Sequence, residues 1–322
     1  MKDIIAIDLG GTSAKLALVS FEGDLLDKWT IETDNSQGGS RILPQLIQSI
    51  KDHLASRGQT INDFIGIGMG TPGTISPEGR VHGAYNLNWV NPEPVKASME
   101  QGLSLPCHLA NDADVAALGE FWQGAGKGLS DMVMLTLGTG VGGGIISQSR
   151  LIEGGSGSAG EIGHICVDST NNYLCTCGKN GCLEAVASAT GIVNLLNHAA
   201  QTYQGSSSLL QKFKTGQFVD AEIIINAAKT DDDLACQVFD QFTNYLALAC
   251  SHLANILNPQ QIVIGGGVSH AGQFLLEAID RAYLPLVFEP IREKTILSLA
   301  QLGNDAGVLG AAYLLLLKER GI

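Results

Sequence analysis

The feature that most constrains the fold of this sequence is an internal repeat of a strand, a glycine-rich turn and a second strand. Residues 4–19, IIAIDLGGTSAKLALV, align with residues 132–147, MVMLTLGTGVGGGIIS, so that Gly10 falls on Gly138. In both copies an apolar run that is typical of a buried strand enters a glycine turn. The repeat predicts a duplicated α/β domain in which each copy presents a loop of backbone N–H groups.

Length and charge narrow the class of protein. A chain of 322 residues with 45% apolar residues suits two domains with sizeable cores. The net charge of −13 repels phosphate backbones and anionic lipid, which makes nucleic acid and membranes poor candidate partners. A small anionic ligand in a local pocket is still compatible with this charge.

Two apolar stretches bear on export and on membranes. The N-terminal stretch is interrupted by Asp8 after a few residues, so we expect no signal peptide. Residues 241–276 carry no Asp, Glu, Lys or Arg, but polar residues between positions 252 and 261 interrupt them. We therefore predict a buried helix followed by a buried strand there, rather than a membrane span.

Local patterns predict further elements. Residues 42–54 have helical apolar spacing, and FIGIGMGTPG, from Phe64, indicates a strand that enters a glycine turn. CHLAND, from Cys107, indicates a strand end, and the following ADVAALGEFW the start of a helix. The last segment predicts a helix of small residues, which basic residues and Gly321 bring to an end.

Three glycine turns each follow an apolar strand, and together they favour phosphate binding. The third, IVIGGGVS, follows the predicted strand 262–264. None of the turns matches G-x-x-x-x-G-K-[ST], and none matches G-x-G-x-x-G with an acidic residue at the usual spacing. Bare backbone amides at a strand end can nevertheless hold an anion. The alternative for any single turn is that it only reverses the chain.

Asp8 adds a signal of a different kind to the first turn. A carboxylate at a strand end beside a phosphate-binding loop can hold Mg²⁺, directly or through water. The alternative is an aspartate that caps the turn.

Asn111 and Asp112 lie between a predicted strand and a predicted helix. Asn and Asp are favoured helix N-caps, and Asp114 falls in the first turn, so a capping role explains the pattern. The functional alternative is that Asp112 takes a proton from a substrate hydroxyl while Asn111 binds a neighbouring one. A phosphoryl-transfer site needs little more than positioning, a metal, phosphate-binding amides and one such base.

The segment 163–184, GHICVDSTNNYLCTCGKNGCLE, has the ligand types of a metal centre. His164 is followed by Cys175, Cys177 and Cys182, and one imidazole with three thiolates suits a closed, structural, tetrahedral Zn²⁺ site. The chain has seven cysteines, which is an odd number, and we expect no export signal. Disulfides are therefore not expected. The alternative is three buried or free thiols, and the polar and glycine neighbours of these cysteines argue against burial. Strand alternation predicts that Cys166 is a small buried side chain.

Two carboxylates, Glu161 and Glu184, bracket this cluster. A zinc cross-link would hold the residues before Cys175 and after Cys182 in a fixed relation. Carboxylates presented rigidly in this way suit the recognition of a polyhydroxyl compound, because each accepts several hydrogen bonds. The alternative is a pair of solvated glutamates.

Taken together, these segments resemble the ROK family of sugar kinases and sugar-responsive repressors. The resemblance covers nearly the whole chain, and its motifs are, in order, DLGGT, GTPG, NLNW, NDADVAALGE, GAGKG, TLGTGVGGGII, GEIGH, CTCGKNGCLE and IVIGGGVS. NLNW together with GEIGHICVD looks most like the glucokinase branch of the family. The implied fold is α/β, an actin/hexokinase-like (ribonuclease H-like) duplicated fold with two domains around a cleft.

The resemblance also implies roles for individual residues. Asp112 looks like the catalytic base for the C6 hydroxyl of a hexose. The implied sugar contacts are Asn111, Asp112, Glu161, His164 and Glu184, and the implied zinc ligands are His164, Cys175, Cys177 and Cys182. The residues implied at the nucleotide and its Mg²⁺ are Asp8, Gly10, Gly11, Thr12, Lys15, Thr139, Gly140, Gly265, Gly266 and Gly267. Asp114 stands where the family often has Asn, which adds a charge next to the base.

The implied activity is ATP-dependent phosphorylation of glucose at the C6 hydroxyl, with ATP, Mg²⁺ and structural Zn²⁺. We expect a small domain of residues 1–111 plus 304–322 and a large domain of residues 112–303. The alternatives are a ROK kinase for another hexose, such as N-acetylmannosamine, N-acetylglucosamine or fructose, and a non-enzymatic sugar sensor or repressor. The predicted first strand begins about three residues from the start and so leaves no room for the repressors' helix-turn-helix. We expect a cytoplasmic homodimer with no nucleic-acid or membrane partner.

Overall fold

The computed structural model describes residues 2–170 and 172–321. These residues form two compact units. The first unit contains the described residues up to Leu129, Gly144–Gly160, and those from Gln301 onward; the second contains Ser130–Gly143 and the described part of Glu161–Ala300. The first unit is thus larger than the predicted small domain, since residues 112–129, 144–160 and 301–303 also group with it.

Runs of strands and runs of helices follow one another along the chain. In chain order, the strands are β1 (Asp3–Leu9), β2 (Ser13–Val19), β3 (Leu25–Glu32), β4 (Phe64–Thr71), β5 (Thr74–Ile75), β6 (Val81–His82), β7 (Cys107–Asn111), β8 (Met132–Leu137), β9 (Val141–Ser147), β10 (Arg150–Leu151), β11 (Gln261–Gly265) and β12 (Ile296–Leu299). The α-helices are α1 (Ile42–Ser56), α2 (Val95–Leu103), α3 (Asp112–Gln123), α4 (Glu184–Ala187), α5 (Ala189–Thr202), α6 (Ser208–Lys214), α7 (Ala221–Ala228), α8 (Asp233–Leu257), α9 (Gln273–Tyr283) and α10 (Ala306–Glu319).

The internal repeat predicted from the sequence is confirmed by the sheets. One five-stranded sheet has the order β3-β2-β1-β4-β7 and the other the order β10-β9-β8-β11-β12, which is the same path of strands in each. In the first sheet β1 pairs antiparallel with β2 and parallel with β4; in the second, β8 and β11 pair in parallel, as do β11 and β12. Each glycine turn of the repeat follows the central strand of its own sheet.

In the first unit the helix α10 packs against α3 and against strands β1 and β4. The two helices approach until their backbones touch, because a Cβ added to Gly310 would lie only 1.6 Å from the carbonyl oxygen of Val115. Glycine is therefore required at this crossing. The predicted C-terminal helix of small residues is confirmed, and it supports the helix whose first residue is Asp112.

The second unit contains residues 241–276, the stretch without charged residues that the sequence analysis tested as a membrane span. It forms the end of α8 and the strand β11, as predicted, and Phe242, Leu246 and Cys250 on α8 are fully buried. Among the residues described, no helix is both long and apolar enough to cross a membrane.

Candidate active site

The turn between β1 and β2 is organised by backbone contacts within the first unit. Gly10 donates its N–H to the carbonyl of Ser13 at 2.9 Å, and the Thr33 hydroxyl donates to the carbonyl of Gly10 at 2.8 Å. Thr12 is exposed at the tip, between the half-buried Gly11 and Ser13. The loop is thus rigid at its base and open at its tip, as an anion-binding turn needs to be.

Asp8 and Lys15 face each other across the two strands that this turn joins. They are cross-strand partners, and Lys15 Nζ lies 3.6 Å from Asp8 Oδ2 and 3.4 Å from Asn304 Oδ1. Burial raises the pKa of the Asp8 carboxyl above its ordinary value, and Lys15 partly opposes that rise. The Asp8 side chain keeps 20% of its surface exposed, so a hydrated cation beside it is sterically admissible.

Asn111 and Asp112 lie at the junction of β7 and α3, as predicted. Asn111 is the N-cap: its Oδ1 accepts the Ala113 N–H at 2.9 Å, and its Nδ2 donates to the Gly73 carbonyl at 3.2 Å. Asp112 is exposed in the first turn, where the positive end of the helix dipole favours a carboxylate. Asp114 is 7% exposed, so the two acids of NDAD have very different surroundings.

The predicted metal ligands come together in the second unit. The ligand atoms of His164, Cys175, Cys177 and Cys182 all lie within 4.8 Å of one another. Cys177 Sγ is 3.6 Å from Cys182 Sγ, and Cys175 Sγ is 3.7 Å from His164 Nδ1. Thiolates that share a tetrahedral Zn²⁺ at about 2.3 Å lie about 3.8 Å apart, so the cluster fits this ion.

Burial of the cysteines differs from what the sequence predicts. The polar neighbours of Cys175 and Cys182 are exposed, but these two side chains are themselves buried, at 4% and 1% exposure. Burial raises the pKa of the Cys182 thiol to about 12. The prediction that Cys166 is buried is wrong, because the residue is exposed. Residues 162–164 form a 3-10 turn, so strand alternation does not extend from His164 to Cys166.

His164 links the cluster to the first bracketing carboxylate. Its Nδ1 faces Cys175, and its Nε2 lies 3.8 Å from Glu161 Oε2. Glu161 is exposed and His164 is half-buried. A metal bound at Nδ1 would hold the ring in this orientation, with Nε2 directed toward Glu161 and solvent.

Glu184, the second carboxylate, contacts two loops of the second unit. Its Oε2 accepts the Val141 N–H at 3.1 Å, beside Thr139 and Gly140. Its Oε1 accepts the Thr176 hydroxyl at 3.0 Å, with the Cys175 thiol at 3.7 Å. A Cβ on Gly140 would lie 2.4 Å from Glu184 Oε2, so glycine is needed for this approach. The sequence contains no signal for this link.

The third glycine turn follows β11, also as predicted. Gly266 has φ +82°, and a Cβ there would lie 2.5 Å from the carbonyl oxygen of Leu137 at the end of β8. Gly265 is buried, whereas Gly266 and Gly267 are exposed.

A cavity of about 380 Å³ opens beside this turn, within the second unit. It is lined among others by Gly138, Ile225, Asn226, Lys229, Gly267 and Val268. The residues from α7 were missed in the sequence, because their only pattern is that of an amphipathic helix. A half-apolar cavity beside glycine turns can accept a flat base and its sugar.

The predicted site residues are therefore divided between the two units. In the first unit the turn 10–12 lies near Asp8 and Lys15, Asn111 ends β7, and Asp112 begins α3. In the second unit are Thr139, Gly140, Glu161, His164, Glu184, the three cysteines and the turn 265–267. Their chemistry is that of anion-binding turns, carboxylates and one metal cluster.

Comparison with known proteins gives matches along nearly the whole chain. A model of the ROK family matches residues 4–318. A glucokinase from Halalkalibacterium halodurans is 40% identical over 319 residues, which cover 99% of this chain and 96% of that protein. The structure of a ROK hexokinase from Thermus thermophilus matches with a TM-score of 0.84 and 28% identity, covering 99% of this chain and 100% of that one.

A second solved structure is a ROK family glucokinase from Streptomyces griseus in complex with glucose and AMPPNP. It matches with a TM-score of 0.76 and 32% identity, covering 97% of this chain and 98% of that one. The duplicated α/β fold class predicted from the motifs is confirmed by these structures together with the two sheets of equal strand order. Because the family match extends from residue 4 to residue 318, this chain belongs to the ROK family.

Proposed function

We propose that this protein is a glucokinase that transfers the terminal phosphoryl group of ATP to the C6 hydroxyl of glucose. The observation that carries the proposal is the exposed Asp112 at the first turn of α3, in a fold that repeats a glycine turn after the central strand of each sheet. A single base and preformed backbone amides are the main protein contributions that phosphoryl transfer requires. The glucokinase relatives support the choice of glucose.

Asp112 acts as the general base in this proposal. Its position in the first turn of α3 favours the ionised carboxylate, which can accept the proton of the C6 hydroxyl as the oxygen attacks phosphorus. The neighbouring Asn111 fixes the start of the helix through its cap, and its amide can also contact a sugar hydroxyl. Loss of the base should therefore lower the rate of transfer more than it lowers sugar affinity.

Sugar recognition is assigned to Glu161, His164 and Glu184 together with Asn111 and Asp112. The support is that His164 presents Nε2 beside Glu161 while its Nδ1 faces the cysteine cluster. Carboxylates and an imidazole can pair several hydroxyls of one hexose. Zinc bound by His164, Cys175, Cys177 and Cys182 would supply a cross-link that keeps these side chains in place.

ATP is assigned to the glycine turns. Gly10, Gly11, Thr12 and Lys15 in the first unit, and Thr139 and Gly140 in the second, would contact its phosphates through backbone N–H groups and polar side chains. Gly267 lines the cavity that we assign to the adenosine part, and Gly265 and Gly266 precede it in the same turn. Asp8 would hold Mg²⁺, which neutralises phosphate charge. The cytoplasmic location and the homodimer are also proposals; sedimentation analysis of the purified protein tests the latter.

A turnover panel tests the proposed activity. The purified protein is mixed with ATP and Mg²⁺ and with glucose, mannose, fructose, N-acetylglucosamine or N-acetylmannosamine, and ADP release is coupled to a colour change. We expect glucose to give the highest kcat/KM and NMR to place the phosphate on C6. If the protein is a sugar sensor, it will bind a sugar without releasing ADP. If an N-acetyl sugar has a higher kcat/KM than glucose, the protein is a kinase whose substrate is that N-acetyl sugar rather than glucose.

A further inference from the structure

The proposed function leaves Cys166 without a role. This thiol is exposed and lies outside the group of four possible metal ligands. Its backbone, however, pairs with that of Cys182, which belongs to the cluster. An exposed cysteine therefore lies directly opposite a buried zinc ligand.

The backbone pairing places Cys166 and Cys182 at a separation that a disulfide can span. Val167 donates its N–H to the Gly181 carbonyl at 2.9 Å, and Leu183 donates to the Ile165 carbonyl at 2.9 Å. These two bonds flank Cys166 and Cys182, which makes them a non-hydrogen-bonded antiparallel pair. The Cα atoms of such pairs lie about 4.5 Å apart. Disulfides span Cα separations of about 4.4–6.8 Å.

The Cys166 side chain already leans over the neighbouring segment. A Cβ added to Gly181, the residue before Cys182, would lie 3.2 Å from Cys166 Sγ. The thiol itself makes a weak contact with the Asp168 carbonyl at 3.6 Å. The side chains of a directly opposed antiparallel pair leave the backbone on the same face, so a rotation about the Cα–Cβ bond can turn Cys166 Sγ toward Cys182.

We propose that Cys166 and Cys182 form a redox switch that opens the zinc centre when a hydroperoxide is present. The Cys166 sulfur attacks the peroxide O–O bond, becomes a sulfenic acid and releases an alcohol or water. The Cys182 sulfur then attacks the sulfenic sulfur and expels hydroxide as the disulfide forms. Two electrons pass from the two sulfurs to the peroxide, and Cys182 would then no longer be available as a ligand for zinc held by His164, Cys175 and Cys177.

The effect on the site follows from the position of Cys182. Its carbonyl accepts the Ala185 N–H at 3.0 Å, at the start of the short helix that carries Glu184. Opening the centre releases His164 and the segment before Glu184 together. This inference rests on the proposed zinc centre for its consequence, whereas the disulfide itself depends only on the two cysteines.

The test compares the wild type with C166S and C236S after reduction and zinc loading. Cys236 is a partly exposed thiol on α8 and serves as the matched control. Hydrogen peroxide is added, zinc release is followed with a chromogenic chelator, and disulfides are mapped by mass spectrometry without reduction. We expect the wild type and C236S to release zinc and to yield a Cys166–Cys182 peptide pair. C166S should release zinc several-fold more slowly.

The other possible results decide against the switch or against the zinc centre. A disulfide between two of the three cysteine ligands, or equal zinc release by C166S and the wild type, would overturn the switch. If elemental analysis finds no zinc in the reduced wild type, the proposed metal centre fails, and the peptide map still decides whether Cys166 and Cys182 join. Dithiothreitol with added zinc should restore the zinc content of the oxidised wild type.

Discussion

The Glu184 carboxylate accepts the Val141 N–H at 3.1 Å through one oxygen and the Thr176 hydroxyl at 3.0 Å through the other. It therefore connects the turn assigned to ATP phosphates with the loop that carries the cysteines. A residue predicted only to bind sugar thus has a second, positioning role. This link leads to a prediction that separates the two roles.

We expect Glu184→Ala to raise the KM for ATP as well as the KM for glucose. A hydrogen bond to a charged group contributes about 1.5–3 kcal/mol, so each rise should be about tenfold or more. Glu161→Ala is the matched control and should raise the KM for glucose alone, because the contact of its carboxylate is with His164. Glu184→Gln should restore the KM for ATP, since an amide oxygen can also accept the Val141 N–H. An unchanged KM for ATP in Glu184→Ala would remove the positioning role.

Asp112→Asn should lower kcat by about 10²–10⁴-fold, which is the usual contribution of a general base. The cap of α3 is Asn111, so the fold should be retained. Asp52→Asn, on the exposed face of α1, is a control that should leave kcat unchanged. Steady-state kinetics on glucose measure both variants, and a near-normal kcat for Asp112→Asn would show that another group takes the proton.

The proposed metal centre predicts about one tightly bound zinc per chain, from four ligands in a closed site. Cys177→Ser should lower zinc content and thermal stability together, because metal binding and folding of the loop are coupled. The control is C236S, because it replaces a cysteine outside the cluster. Cys107→Ser would be a poor control, since Cys107 is fully buried and its substitution could itself lower stability. Elemental analysis of protein purified without chelator measures the zinc content of each variant. Absence of metal from the wild type would contradict this prediction.

We expect a substitution of Glu120, which lies outside the predicted site residues, to lower the stability of the fold. This fully buried carboxylate accepts N–H groups from Ala125, Gln301 and Leu302 at 2.7–3.1 Å. Glu120→Gln replaces one acceptor oxygen with an NH₂ group, so we expect a loss of about 1–3 kcal/mol in the free energy of unfolding.

Urea denaturation measures this loss. The matched control is Glu153→Gln, which breaks an exposed ion pair with Lys318 and should cost at most about 1 kcal/mol. Equal effects of the two substitutions would show that the buried carboxylate is no more important than the surface pair.

The proposed sugar site predicts an order of substrates: glucose, then its C2 epimer mannose, then the N-acetyl sugars, by falling kcat/KM. A site that pairs hydroxyls loses about 1–3 kcal/mol for each buried polar group left without a partner. The resemblance implies that Glu161 and His164 face the C2 substituent, and we expect the short segment GSAGEIGH to leave little volume for an N-acetyl group. Competition of glucose against N-acetylglucosamine and N-acetylmannosamine at equal concentration measures the order, and preference for an N-acetyl sugar would overturn it.

The sequence alone was sufficient for the duplicated fold and for the strands and helices that carry the glycine turns, Asn111 and Asp112. The apolar runs at 4–7 and 132–135 enter glycine turns, and both became central strands followed by a turn. The cap at Asn111 and the small-residue helix α10 were equally local patterns, and both are present. The four candidate metal ligands could be chosen because three cysteines and one histidine fall close together in the chain, and their ligand atoms lie within 4.8 Å of one another.

Only the tertiary structure decided which way individual side chains face. Glu184 and Val141 are 43 positions apart, so no local pattern could predict that the carboxylate would meet that amide. Cys175 is buried although Thr176 and Cys177 beside it are exposed, and Cys166 is exposed although alternation predicted burial. The physical reason is that apolar periodicity and capping act over a few residues, whereas burial and hydrogen-bond partners depend on how distant segments pack.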